Sequence, residues 1–280
     1  MALMTPSLIL HGGAGSPAPE LYEARQRGLR FAFETAWTIL NQNGSALDAA
    51  VQAVVVLEND PSFNAGIGSC LNQNGIVEMD ASLMEGTTFR AGAVGAVRTV
   101  QNPILLAKAV MEEGRHVFLV SEGAEQFARE KGFAAVSQDT LRTERQQRRW
   151  SETRGKGDPG TVGAVAFDKA GRLAAATSTG GVSQKRPGRV GDSAVIGAAS
   201  ATGVGEAIIR TTLARTAVEY LRGGVDPTLA ARRALALFQQ RTNSEAGVIL
   251  VDSLRRVGHA HNAPAMSVAF LSGNELMIRD

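Results

Sequence analysis

From residue 137 to 160 the alternation of apolar and polar positions lapses, and segments of strand and helix character gather on both sides of the gap. Each side supplies a set of strands followed by a pair of helices. Few packings bury all the apolar faces of two such sets. The pattern suggests two mainly antiparallel sheets stacked face to face with helices outside. That is an α+β fold, a four-layer αββα sandwich, rather than a parallel doubly wound sheet. A chain of 280 residues can form this as one domain, 1–280.

Leu8-Ile9-Leu10 reads as a short buried strand running into His11-Gly12-Gly13-Ala14-Gly15. The glycines suit either a turn or a set of amides open to an anion, without the spacing of a P-loop. A helix over about 20–43 carries Leu29, Phe33, Ala36, Trp37 and Leu40 at helical spacing and stops at Gly44. Ser45 and Asp48 form a capping box for a second helix, whose interior from 49 to 57 is almost wholly apolar and must be covered. Strands are expected near 77–81, 91–100 and 117–120, and helices near 103–113 and 122–131. Beyond 160, a hairpin over 162–167 and 173–178 turns at Asp168-Lys169-Ala170-Gly171. A strand at 195–197, helices at 205–221 and 227–241, and strands at 247–252, 267–271 and 276–278 complete the chain.

The charge balance excludes several function classes. With 29 basic and 27 acidic residues the net charge is +2, too small to argue for nucleic acid or a membrane surface. No apolar run reaches membrane-spanning length and no basic leader precedes one, so a cytoplasmic protein is expected. The single cysteine, Cys70, excludes an internal disulfide and reads as a small buried residue. The four histidines show no metal-ligand spacing, and no GxSxG elbow is present. Residues 142–156 hold six basic and two acidic side chains. This reads as a solvated, mobile linker over 137–160, in preference to a nucleic-acid arm.

The chemistry converges on the bond between Gly160 and Thr161. A threonine freed at its own amino group carries nucleophile (Oγ) and base (α-amine) on one residue. That amine titrates near ~7.7–8.0, so a useful fraction is neutral at physiological pH. Gly160 leaves its carbonyl open to attack, and Pro159 holds Asp158 extended. Thr179 ends the second hairpin strand opposite the start of the first, where its hydroxyl can orient that of Thr161. Arg189 and Asp192 stand three residues apart in a glycine-flanked loop, able to hold the carboxylate and ammonium of a zwitterion or simply to form a surface ion pair. Thr202 and Gly203 precede a helix and can offer a hydroxyl and an N–H to an oxyanion. The polar loop 57–68 follows a helix end and is either a cation site or an ordinary loop.

Seven motifs in order, HGGAG (11–15), FNAGIGS (63–69), EMDAS (78–82), GTVGAVAFD (160–168), AAATSTGG (174–181), GRVGDSAVIG (188–197) and ATGVGE (201–206), resemble the plant-type L-asparaginase/isoaspartyl aminopeptidase family of N-terminal nucleophile hydrolases. The resemblance spans nearly the whole chain. It implies self-cleavage between Gly160 and Thr161 into an α subunit (1–160) and a β subunit (161–280). Thr161 would attack the side-chain amide of L-asparagine or the β-linkage of an isoaspartyl dipeptide, tuned by Thr179, through a β-aspartyl ester. Arg189 and Asp192 would hold the α-carboxylate and α-amine, with a contact from the Gly205 carbonyl. Thr202 and Gly203 would form the oxyanion hole, and Asn64 would position the scissile group. The resemblance further implies no catalytic cofactor, a structural sodium ion on carbonyls of Leu57, Glu58, Phe63, Ala65 and Ile67, and a homodimer of precursors giving (αβ)2. Position 201 is Ala where relatives often have Cys, a change expected to alter packing only. A glycosylasparaginase-like amidase and an uncut, non-catalytic binding protein of the same fold are the alternatives.

Overall fold

The first strand, β1 (Ser7–Gly15), sets the layering. Leu8 and Leu10 face one apolar core, and Ile9 between them faces another, as the two-residue period of a strand requires. The computed structural model describes residues 4–15, 19–152, 160–194 and 199–279. After β1 come α1 (Tyr22–Asn41), α2 (Ala46–Glu58), β2 (Met79–Glu85), β3 (Ala91–Val97), α3 (Pro103–Glu113), β4 (Phe118–Val120), α4 (Ser121–Glu130), α5 (Gln138–Leu141) and α6 (Glu144–Glu152). Beyond the Gly160–Thr161 bond lie β5 (Val162–Phe167), β6 (Leu173–Thr179), β7 (Ser200–Gly203), α7 (Gly205–Thr211), α8 (Leu213–Arg222), α9 (Pro227–Thr242), β8 (Ala246–Val251), β9 (Val257–His261), β10 (Ala265–Ser272) and β11 (Glu275–Arg279).

Among the described residues these strands form an eight-stranded sheet, β11-β10-β1-β5-β6-β2-β3-β4, and a three-stranded sheet, β7-β8-β9. Every pair named is antiparallel except β3 with β4. Three cores separate the four layers. Leu29 and Phe33 of α1, Val54 of α2 and Ile104 of α3 pack with Val162, Ala164 and Ala166 of β5. Ile208, Leu213 and Phe238 of the last three helices pack with Val248 and Leu250 of β8. Between the sheets, Val165 and Phe167 of β5 meet Ile249 and Val251 of β8 and Val268 of β10. The expected αββα sandwich is the observed one. Its strands read as continuous apolar runs because successive residues serve different cores, and each large apolar side chain so buried contributes about 1.5–3 kcal/mol. The Ser45 half of the capping box is present, its Oγ accepting from Asp48 N at 3.0 Å and donating to the Asp48 carboxylate at 2.7 Å.

Four local readings change. The HGGAG stretch is not a turn: it continues β1, with an irregularity between His11 and Ala14 that Gly13 absorbs at φ 112°. The expected single helix over 205–221 breaks at Thr212, held at φ 46°, into α7 and α8. A further strand, β9, lies between β8 and the chain end. The reading of 137–160 as a loose linker fails over its first half, which forms α5 and α6 and docks. Leu141 is fully buried, Gln146 Nε2 donates to the Gly68 carbonyl at 2.7 Å, and Trp150 Nε1 donates to that of Asn72 at 2.8 Å. Polar side chains that composition assigns to water serve here as donors to loop carbonyls. Asp158 and Pro159, and the expected strand at 195–197, lie outside the described residues.

Candidate active site

Register builds the first half of the site. Val162 faces Ser178 across the β5–β6 ladder, which sets Thr161 beside Thr179. Both residues are buried, and Thr161 Oγ1 donates to Thr179 Oγ1 at 3.3 Å. Ser193 Oγ donates to Thr161 Oγ1 at 3.4 Å, and Thr179 Oγ1 also accepts from Gly181 N at 3.0 Å. The two hydroxyl contacts exceed the usual 2.7–2.8 Å of O–H···O bonds, so the row can tighten around a reacting group. Thr202 comes from the other sheet, on β7. Its Oγ1 is buried and accepts from Ala14 N at 3.1 Å, which ties β7 to the HGGAG strand. Gly203 has φ 140° with Ala246 Cα 2.6 Å from where a Cβ would stand, so only glycine fits.

Beneath Thr161 lies a polar floor that the sequence did not mark as functional. His11 Nε2 and Ser200 Oγ are 2.7 Å apart, and Ser200 Oγ is 2.8 Å from Thr177 Oγ1. Burial pushes His11 down to about 3, against a smaller opposing backbone bond at Thr161, so the ring is neutral and takes no acid–base part at neutral pH. Gly163 is required above it, because a Cβ there would collide with Ser200 Oγ.

A loop supplies the other half. Arg189 and Asp192 line one cleft with Gly160, Thr161, Thr179, Gly181, Val182 and Gly203. Arg189 is not spent on Asp192: its Nε donates to Glu206 Oε1 at 2.8 Å, and its Nη2 lies equally close to the same oxygen. Burial in the cleft pushes the Asp192 carboxyl up to about 7, with Arg189 pulling it back only in part. Gly205, the first residue of α7, lies against both groups; a Cβ there would sit 2.7 Å from Arg189 Nη2 and 2.8 Å from Asp192 Oδ1. The cleft offers only about 10 Å³, room for a single water. A roomier cavity of about 430 Å³, lined by Ser7, Trp37 and Leu254, holds none of these residues.

Asn64 stands beside the cleft, with its amide engaged by its surroundings. Nδ2 donates to the Gly181 carbonyl at 2.7 Å and Oδ1 accepts from Cys70 N at 2.8 Å, while its Cβ lies against Gly160. The loop that follows α2 folds tightly against its own carbonyls. A Cβ on Gly66 would collide with Glu58 O, and one on Gly68 would meet Phe63 O at 2.6 Å. Burial pushes the Glu58 carboxyl up to about 8. Among the described residues no group of three His, Cys, Asp or Glu side chains could hold a metal ion, and no helix is long and apolar enough to cross a membrane.

Besides the floor residues Ser200 and Thr177, sequence reasoning missed Ser193 and Glu206. Ser193 adjoins Asp192 and Glu206 adjoins Gly205, so adjacency to an assigned residue was the signal available. A family model described as asparaginase matches residues 4–278. The chain is 43% identical to the isoaspartyl peptidase/L-asparaginase of Danio rerio over 268 residues, 89% of this chain and 86% of that protein. It is 43% identical to the human isoaspartyl peptidase/L-asparaginase, covering 89% and 87% of the two chains. Against the plant-type L-asparaginase of Pyrococcus furiosus it is 42% identical over 95% of this chain and 96% of the other.

Proposed function

The chain belongs to the asparaginase family, and on that premise we propose a self-activating threonine amidohydrolase acting on L-asparagine and β-aspartyl dipeptides. The observation that carries this reading is the meeting of Thr161, Thr179, Arg189 and Asp192 in one cleft. In activation, Thr161 Oγ attacks the Gly160 carbonyl and displaces its own nitrogen, giving an ester. Water then hydrolyses the ester to a Gly160 carboxylate and restores the Thr161 hydroxyl beside the amine freed in the first step. The products are an α subunit of residues 1–160 and a β subunit of residues 161–280.

In turnover the neutral amine takes the proton from Thr161 Oγ, which attacks the β-carbonyl of the substrate. Thr179 orients the hydroxyl, and Thr202 with the Gly203 amide faces the developing oxyanion. The leaving ammonia or amine takes the proton, and water hydrolyses the β-aspartyl-Thr161 ester. Arg189 forks the α-carboxylate; Asp192, ionised, takes the α-ammonium beside Gly205. Asn64 holds the loop edge against Gly160.

The carbonyls of Leu57, Glu58, Phe63, Ala65 and Ile67 suit a sodium ion. Their donor set is all oxygen, and Gly66 and Gly68 carry no Cβ to crowd the oxygens of Glu58 and Phe63, the first of which also accepts from Ile67 N at 2.8 Å. Such an ion would supply positive charge that ties together the loop carrying Asn64. A second copy of the chain is the proposed partner, giving (αβ)2.

Intact mass under denaturing conditions tests the reading. Two chains are expected, the smaller starting at Thr161. Thr161→Ala should remain one chain and lose asparagine hydrolysis by more than about 10⁴-fold. A Thr161→Ala protein with normal activity would refute the mechanism.

A further inference from the structure

The EMDAS motif has no part in the chemistry above, yet its two acidic residues reach the recognition loop from the sheet. Glu78 and Asp80 are fully buried and stand two residues apart, Asp80 on β2 and Glu78 just before it, so both point to one face. Gly188 N donates to Glu78 Oε2 at 3.0 Å and Gly191 N donates to Asp80 Oδ2 at 2.9 Å. These two amides bracket Arg189 and Val190. The other oxygen of each carboxylate is held by β3 or by the residue that follows it. Asp80 Oδ1 accepts from Ala96 N at 2.9 Å, and Glu78 Oε1 accepts from Arg98 Nε at 3.0 Å. Ala96 lies at an irregularity of β3 with φ 52°.

The register adds the decisive observation. Asp80 pairs with Thr179 across β2–β6, and Thr179 adjoins Thr161 across β6–β5. Nucleophile, partner hydroxyl and loop anchor thus form one row across three neighbouring strands. Strands repeat every ~4.7–4.9 Å, so this row sets how far the recognition loop stands from the nucleophile. Lys185 completes the arrangement. It is buried, its Nζ donates to the Glu78 carbonyl at 2.7 Å, and both that Nζ and Arg189 Nη1 crowd Gly181.

We propose that Glu78 and Asp80 are positioning residues that hold the loop Gly188–Gly191 to the Asp80–Thr179–Thr161 row, and so place Arg189 to receive the substrate's α-carboxylate. The proposal rests on the assignment of Arg189 to that carboxylate. It concerns binding of the carboxylate alone, since neither side chain touches the reacting atoms.

Asp80→Asn is the informative change. Both oxygens of Asp80 accept from amides, and an asparagine offers one oxygen, so one N–H must face a donor. The variant is assayed with L-asparagine and with 3-aminopropanamide, the same β-amide without the α-carboxylate. On asparagine KM should rise about tenfold to a hundredfold with kcat changed less than about threefold. On 3-aminopropanamide kcat/KM should match the parent within about threefold, and self-cleavage should be intact. Arg189→Ala should behave alike, and the double variant should lose no more than the worse single.

An equal loss on both substrates, or an unchanged KM where Arg189→Ala raises it, would overturn the proposal alone. An unchanged KM in Arg189→Ala would overturn the assignment of Arg189 and the proposal with it. If Asp80→Asn does not self-cleave, Glu78→Gln is held to the same criteria. Loss of self-cleavage in both would overturn the proposal too, because the carboxylates would then serve the fold and not the loop.

Discussion

The two ends of the cleft are made of different materials. At the nucleophile end, Thr161, Thr179 and Thr202 are neutral hydroxyls near strand ends; the β5–β6 ladder brings the first two together, and Ala14 N ties the third across from the other sheet. At the recognition end, Arg189 and Asp192 sit on an irregular loop, held by Glu78, Asp80 and Glu206. A strand positions a side chain through many backbone bonds that no single residue controls. A loop has no such ladder, so its geometry depends on a few buried charges. The hydroxyl end should therefore respond to loss of the chemical group itself, whereas the charged end should respond to loss of a distant support.

Thr179→Ala gives the largest effect that separates the two. The ladder keeps Thr161 in place, so folding and KM should be nearly unchanged. Loss of the hydroxyl that orients the nucleophile should lower kcat by about 10²-fold. Thr179→Ser should recover most of it. A large rise in KM in Thr179→Ala would show that the two ends are not independent.

Arg189→Ala is the counterpart at the other end. Losing a charge-assisted fork should raise KM for asparagine about 10–100-fold while kcat moves little. It also leaves the Glu206 carboxylate without its partner, though Glu206 is well exposed and water can take that place. An unchanged KM would take Arg189 out of the recognition end.

The same contrast explains what was legible in the sequence. The layers could be read because period and capping are local: Ser45 with Asp48, and the divided strands around Thr161, needed no distant partner. The hydroxyl row could be read because Thr161 and Thr179 sit at matching ends of one hairpin. The charged end could not be completed, since the partners of Arg189 and its loop lie 17 residues ahead at Glu206 and 111 residues behind at Asp80. Spacing alone left Arg189 and Asp192 as a possible surface pair. The linker was misread for the same reason. Nothing near Gln146 or Trp150 in sequence announces the carbonyls of Gly68 and Asn72 that receive them.

The smallest expected effect lies in pH, and there activity and stability should move in opposite directions. Asp192 must be ionised to hold an ammonium, and with its carboxyl at about 7 it is mostly protonated at pH 6. In the free enzyme the ionisation of Asp192 by itself should therefore raise kcat/KM about tenfold between pH 6 and 8, on top of the steeper rise that titration of the Thr161 amine gives. Once substrate is bound, its ammonium keeps Asp192 ionised, so the limb near 7 should be absent from kcat. For folding the sign reverses. In sodium-free buffer, Asp192 and Glu58, at about 7 and about 8, bind protons in the folded chain that the unfolded chain has already lost above ~4–5. Their contribution to stability thus falls as pH rises toward those values. His11, at about 3, acts the other way, but only below ~6.5, where the unfolded imidazole takes up a proton. From pH 6.5 to 8, then, Tm should decline while kcat/KM climbs. A Tm that stayed level across that interval would mean that Asp192 and Glu58 are already ionised in the folded protein, and the charged end would then bind its substrate without a pH limb of its own.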